Sequence, residues 1–180
     1  MSLRGWVAAA CLALGVAGCA TGIPPASEYS QPPLSGRLAV HVDAWAATAP
    51  RDVNAAFELL GDGQNGQLSL LTPMGTVLAR ARWAPGRVVL DTPQGTSRFA
   101  DLDALSREVL GESLPMVALF DWLRGRPWPG AASRGAAGAD APGFEQLGWV
   151  VNLARFDEAR ISARRDQAPQ VTVRAKLDRP

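Results

Sequence analysis

After residue 34, hydrophobic and polar positions alternate with a period of two over much of the chain. Leu38, Val40 and Val42 alternate with Arg37, Ala39, His41 and Asp43. Leu68 and Leu70 alternate with Gln67 and Ser69, while Leu78, Arg80 and Arg82 oppose Val77, Ala79, Ala81 and Trp83. Successive side chains of a strand point to opposite faces, so each of these runs predicts a strand with one buried face. Further strands are expected at 55–60, 87–91, 149–153 and 159–164. The cleanest alternation comes last, with Val171, Val173, Ala175 and Leu177 set against Thr172, Arg174, Lys176 and Asp178. Turn residues separate these runs at Asp62-Gly63, Asn65-Gly66, Pro73-Met74-Gly75, Pro85-Gly86 and Gln94-Gly95, so the pattern predicts an antiparallel meander.

Twice the period changes to that of a helix. Leu102, Leu105 and Val109 have helical spacing, with Asp101 placed to cap the first turn and Gly111 to stop the last. A second helix is expected from Pro115, a residue suited to a first turn, to Gly125. Its apolar face is Met116, Leu119, Phe120 and Leu123, and Val117 and Trp122 widen it to most of the circumference. Such a helix belongs inside something, and a sheet wrapped around it would bury it. From Arg126 to Gln146 the chain is rich in Gly, Ala and Pro. That stretch is long for a structureless connection and reads as a mobile flap or a disordered insertion.

The N-terminus sets the compartment. Arg4 precedes an apolar run from Gly5 to Gly15, and Val16-Ala17-Gly18 put small residues just before Cys19. This is the layout of a cleaved export signal, and the run is too short to span a bilayer. Val-Ala-Gly-Cys resembles the lipobox of bacterial lipoproteins, which implies a signal peptide over 1–18 and lipidation of Cys19. Cys11 would leave with the signal, so no disulfide is available to the mature chain. Ala20 follows the cysteine where Asp would favour inner-membrane retention, and this points to the outer membrane. Residues 19–34 carry four prolines after Gly22 and read as a tether able to hold a domain of residues 35–180 roughly 45 Å from its anchor, at about 3.1 Å per extended residue.

Composition narrows the function further. The 180 residues are 47% hydrophobic and 19% charged, enough to bury one core. Lys and Arg number 18 against 17 Asp and Glu, spread along the chain, so the basic cluster of a nucleic-acid binder is not apparent and none is expected as a partner. Gly61 to Gly66 matches G-x-G-x-x-G, but a strand follows where the dinucleotide motif needs a helix, so it reads as a polar hairpin turn. The single histidine, His41, has no motif around it for zinc or for a triad. Asp101 and Asp103 read as helix capping and first-turn charge. Neither an enzyme, a metal site nor a cofactor is expected.

A curved sheet with an apolar concave face, capped by helices, can hold an apolar guest away from water. Candidate lining residues are Leu38, Val40, Leu68 and Leu70 from the first strands, and Val88 and Leu90 from the middle. Trp149, Val151, Val171 and Val173 come from the last strands, and Leu119, Phe120 and Trp122 from the second helix.

Several segments, in order, carry a family resemblance: the lipobox, Ser35-Gly36-Arg37-Leu38-Ala39-Val40, Leu68 to Gly75, Leu114-Pro115 through Leu119-Phe120-Asp121-Trp122-Leu123-Arg124-Gly125-Arg126-Pro127, and Gly148-Trp149-Val150-Val151. Over roughly 16–178 the chain resembles the LolB family of outer-membrane lipoprotein receptors. The resemblance implies a mainly β fold with helices, an incomplete antiparallel β-barrel wrapping helices and enclosing an apolar cavity. It implies a monomeric lipoprotein, facing the periplasm, that accepts the acyl chains of client lipoproteins from the periplasmic carrier LolA and passes them to the inner leaflet of the outer membrane. In that family an apolar residue, usually Leu, protrudes between Pro and Gly in one loop and serves insertion; here the loop is Pro73, Met74 and Gly75. A different class of function remains open, that of an envelope scaffold lipoprotein whose apolar sheet face is an ordinary core.

Overall fold

A computed structural model of the chain describes Tyr29, residues 31–136 and residues 142–178. Its strands are β1 (Leu34–Val42), β2 (Arg51–Gly61), β3 (Gly66–Leu71), β4 (Val77–Ala84), β5 (Arg87–Thr92), β6 (Gly95–Phe99), β7 (Ser133–Gly135), β8 (Gly143–Gln146), β9 (Trp149–Asn152), β10 (Arg160–Arg165) and β11 (Val171–Leu177). Helices α1 (Leu102–Leu110) and α2 (Met116–Trp122) lie between β6 and β7. The strands form one antiparallel sheet in the order β6-β5-β4-β3-β2-β1-β11-β10-β9-β8-β7. The chain thus makes two meanders, and pairing of β1 with β11, from Gly36 opposite Leu177 to Val42 opposite Val171, joins them. Strands β6 and β7 are the unpaired edges, so the barrel is incomplete.

The helices fill the concave side. Asp101 caps α1 by accepting from the Ala104 N–H at 2.7 Å, and Gly111 ends it in the left-handed region at φ 77°, where a side chain would be strained. Leu102, Leu105, Ser106 and Leu110 form its buried stripe. Val109, expected on that stripe, is 40% exposed, because the real contact line runs through Ser106, whose hydroxyl accepts from the Leu114 N–H at 3.0 Å. In α2, Phe120 stacks on Trp83 of β4 with centroids 4.9 Å apart. Trp122 meets Phe144 and Trp149 of the second meander. One short helix therefore packs against both halves of the sheet.

Three strands were not evident in the pattern. The polar β6 is exposed along nearly its whole length and has no apolar alternation. Strands β7 and β8 fall inside 126–146, and the described parts of that stretch are an ordered hairpin rather than a flap, with 137–141 outside the description. Buried Gln146 fastens it: its carbonyl accepts from Trp122 Nε1 (2.8 Å) and the Trp128 N–H (2.9 Å), and its amide donates to the carbonyls of Trp128 and Ala131 at 2.8 Å each. The apparent low complexity hid one polar anchor that only the fold supplies with partners.

Strand β4 departs from strict alternation at its start. Leu70 pairs with Ala79 but Leu71 pairs with Val77, so the register shifts and Leu78 is the extra residue of a bulge. The simple pattern puts Val77 on the face of Ala79, Ala81 and Trp83. The bulge instead pairs it with Leu71, on the opposite face from buried Trp83.

Candidate functional site

All thirteen lining candidates gather on the concave side in one apolar cluster with the helices. Val40, Val88, Leu119, Phe120, Trp122, Trp149, Val151, Val171 and Val173 are buried there. Leu38, Leu68, Leu70 and Leu90 are only half-buried and pack against that cluster from its margin. Register accounts for the assembly: Leu90 lies opposite Ala81, Ala81 opposite Leu68, and Leu68 opposite Leu59, which in turn faces Leu34. Each step crosses one strand at about 4.8 Å, so residues distant in sequence become neighbours on one face.

The β3–β4 connection has a different character. The Thr72 N–H donates to the Thr76 carbonyl (2.9 Å), the Gly75 N–H to the Thr72 carbonyl (2.9 Å), and the Thr76 N–H to Thr72 Oγ1 (3.1 Å). Gly75 sits at φ 84°, and open space surrounds the position a Cβ would take. The turn is closed by its own hydrogen bonds and needs no neighbour to hold it. Its tip residue Met74 is 91% exposed. Beside it the bulge leaves Val77 and Leu78 exposed as well, so the hairpin end is an apolar promontory of three side chains. Sequence reading singled out Met74 but not Val77 or Leu78, since alternation gave no sign of the bulge.

Asp62 organises the preceding turn, between β2 and β3, accepting from the Gln64 N–H (2.8 Å) and the Asn65 N–H (3.0 Å), while its carbonyl accepts from Trp83 Nε1 (2.8 Å). The Gly61 to Gly66 segment is therefore a polar turn between two strands, as its composition suggests. His41 lies on the outer face of β1 between two carboxylates, with Nδ1 2.7 Å from Asp52 and Nε2 2.9 Å from Asp43. The Asp52 hydrogen bond, chiefly, raises its pKa above the ordinary value. Asp103 is raised too, by burial and by Asp101 nearby. Neither belongs to a cluster of metal-ligating groups, and among the described residues no such cluster occurs. No helix among them is long and apolar enough to cross a membrane. Cys19, the expected lipidation site, lies outside the described residues.

A model of the family described as "Outer membrane lipoprotein LolB" matches residues 31–177. The outer-membrane lipoprotein LolB of Bordetella petrii is 34% identical over 189 residues, covering 99% of this chain and 94% of its own. That of Cupriavidus metallidurans is 31% identical over 180 residues, covering 93% and 84%, and that of Chromobacterium violaceum is 31% identical over 160 residues, covering 80% and 79%. With the match running from before β1 through β11, and with an open sheet wrapped on two helices, the chain belongs to the LolB family.

Proposed function

We propose that this protein is a lipid-anchored lipoprotein of the outer membrane, facing the periplasm, that receives client lipoproteins from the carrier LolA and inserts them into the membrane through the Met74 hairpin. The single observation that carries the reading is a flexible apolar side chain, 91% exposed, on a turn closed by its own backbone bonds. Exposing it to water has no structural benefit, whereas a thioether chain enters the acyl boundary readily. Pro73 and Gly75 hold the turn and Met74 reaches out of it. Lipidation of Cys19 would keep this tip within reach of the bilayer.

The concave face takes the acyl chains in this reading. Each methylene kept out of water is worth about 0.8 kcal/mol, so a free lipoprotein cannot cross the periplasm without a shelter. Leu38, Leu68, Leu70 and Leu90, half-buried at the margin, receive a chain first. The nine buried candidates, three of them on α2 and the rest packed in one cluster with the helices, become accessible only as the helices move off the sheet. Release into the bilayer follows from higher affinity there, with no nucleotide required.

Replacing Met74 with Glu tests the insertion role. Uptake of a lipoprotein from the carrier should be unchanged, and recovery of that lipoprotein in floated liposomes should be lost, because a carboxylate opposes entry into hydrocarbon. Delivery at the wild-type rate by Met74→Glu sinks the assignment. The scaffold reading draws on the close packing of the nine buried candidates; it prevails if the wild-type protein takes up no fluorescent acylated peptide.

A further inference from the structure

A groove of about 780 Å3 lies on the outer face of the sheet, away from the helices, and Pro73 is part of its wall. The side chains that turn toward it come from strands far apart in sequence. One cross-strand row reads Val77, Leu71, Ala56, Arg37, Lys176 and Arg160, each residue paired with the next from β4 to β10. The next row contributes Asn54, Ala39, Arg174 and Ser162. The face is thus graded: apolar beside the Met74 hairpin, small at Ala56 and Ala39, and cationic from β1 onward.

Three of these cations make no close polar contact among the described residues, although Lys176 also lies within the field of Glu158. Arg155, at the rim, is held by Glu158, which Arg160 also approaches at 3.8 Å. Arg37, Arg174 and Lys176 have neither an ion pair nor a side-chain hydrogen bond among the described residues, and all three are exposed. The carboxylates in the neighbouring rows are largely engaged elsewhere: Asp178 accepts from Ser35 and Asp52 from His41, and Glu58 stands a row beyond Ala56. Cationic side chains over small residues favour a ligand with exposed anionic oxygens, which guanidinium groups bind in pairs.

We propose that this face is a docking surface for the phosphate groups of an anionic lipid membrane, seating the protein so that Met74 points into the bilayer. Continuity with the hairpin selects this occupant. Two strand spacings, about 10 Å, separate Leu71 from Arg37, so a surface that receives the apolar tip brings its headgroups to the cations. Apolar insertion combined with basic residues at headgroup level is how peripheral proteins hold anionic bilayers. The inference rests on the membrane-contact role of Met74.

The test uses the mature chain, residues 19–180, carrying Cys19→Ala, so that neither the apolar signal run nor a lipid anchor contributes. Its binding to phosphatidylcholine vesicles with and without phosphatidylglycerol is measured by flotation. Wild-type surface residues should bind the anionic vesicles more tightly, in a salt-sensitive way, and the triple variant Arg37→Gln, Arg174→Gln, Lys176→Gln should lose roughly tenfold or more of that binding. The charge-conserving pair Arg37→Lys, Arg174→Lys should retain it, which separates charge from any folding defect; each glutamine change alone should give a smaller loss. Equal binding of the triple variant and the parent to anionic vesicles overturns the proposal. So does a triple variant that binds vesicles normally but fails to take lipoprotein from the carrier, since the face would then serve an acidic protein. If Met74→Glu delivers normally while the triple variant loses vesicle binding, the insertion role fails and the basic face stands. The reverse pattern removes the face and leaves the insertion role intact.

Discussion

The two faces of β1, β2, β10 and β11 are built from the same strands and could hardly differ more. Inward, Val40, Phe57, Val171 and Val173 are at most 5% exposed and pack against helices. Outward, on alternate residues of those strands, stand Arg37, Arg160, Arg174 and Lys176 around an open groove. A strand writes two chemistries in one segment because its side chains alternate. The inner set carries the free energy of folding, and the outer set, with the hairpin tip, is free to carry interactions with surfaces. Changes on one face should therefore leave the other almost untouched.

Truncating the inner face should have the largest effect. Phe120→Ala removes the ring stacked on Trp83 and should cost about 3–5 kcal/mol of stability, read from denaturant unfolding. Gln146→Leu should come next, at roughly 2–4 kcal/mol, because buried Trp122 Nε1 and the Trp128 N–H lose their acceptor; an unchanged midpoint would mean that 126–136 contributes nothing to the fold. Asp101→Ala removes the α1 cap and should cost about 1 kcal/mol.

The outer face predicts small effects with a pH signature. Both His41 nitrogens face carboxylates, which favours the imidazolium and raises its folded pKa above the unfolded value near 6.5. The stabilisation is complete below that unfolded value and disappears as pH rises through the folded one. His41→Asn should therefore unfold more easily than the parent at pH 5 and match it at pH 9; a difference that persists unchanged at pH 9 would tie His41 to packing instead. Met74→Glu should move stability least of all, within about 0.5 kcal/mol, although it should abolish delivery.

Much of this was legible in the chain. Alternation located eight of the strands within a few residues, Asp101 and Gly111 bounded α1 on capping chemistry, and Pro-Met-Gly marked the projecting turn because few other residue combinations close so tightly. Strands β6 and β7 escaped because short exposed strands lack the apolar periodicity that signals burial, and β8 because one of its two buried positions is the polar Gln146. The thirteen apolar candidates could be named one by one, but alternation does not say which of them pack on one another.

By itself, then, the amino-acid order determined the local elements, the inward and outward residues of each regular strand, and the apolar helix that the sheet encloses, since these depend on near neighbours and a fixed period. Tertiary structure alone decided what lies across a strand boundary. Basic residues that look evenly spread become a patch only because β1 pairs with β11, bringing Arg37 beside Lys176 across the whole length of the domain. The bulge at Leu78 likewise turned Val77 outward. Neither is encoded in a local pattern, because strand partners and registers are settled by the summed burial of both faces and by the helices that complete the core.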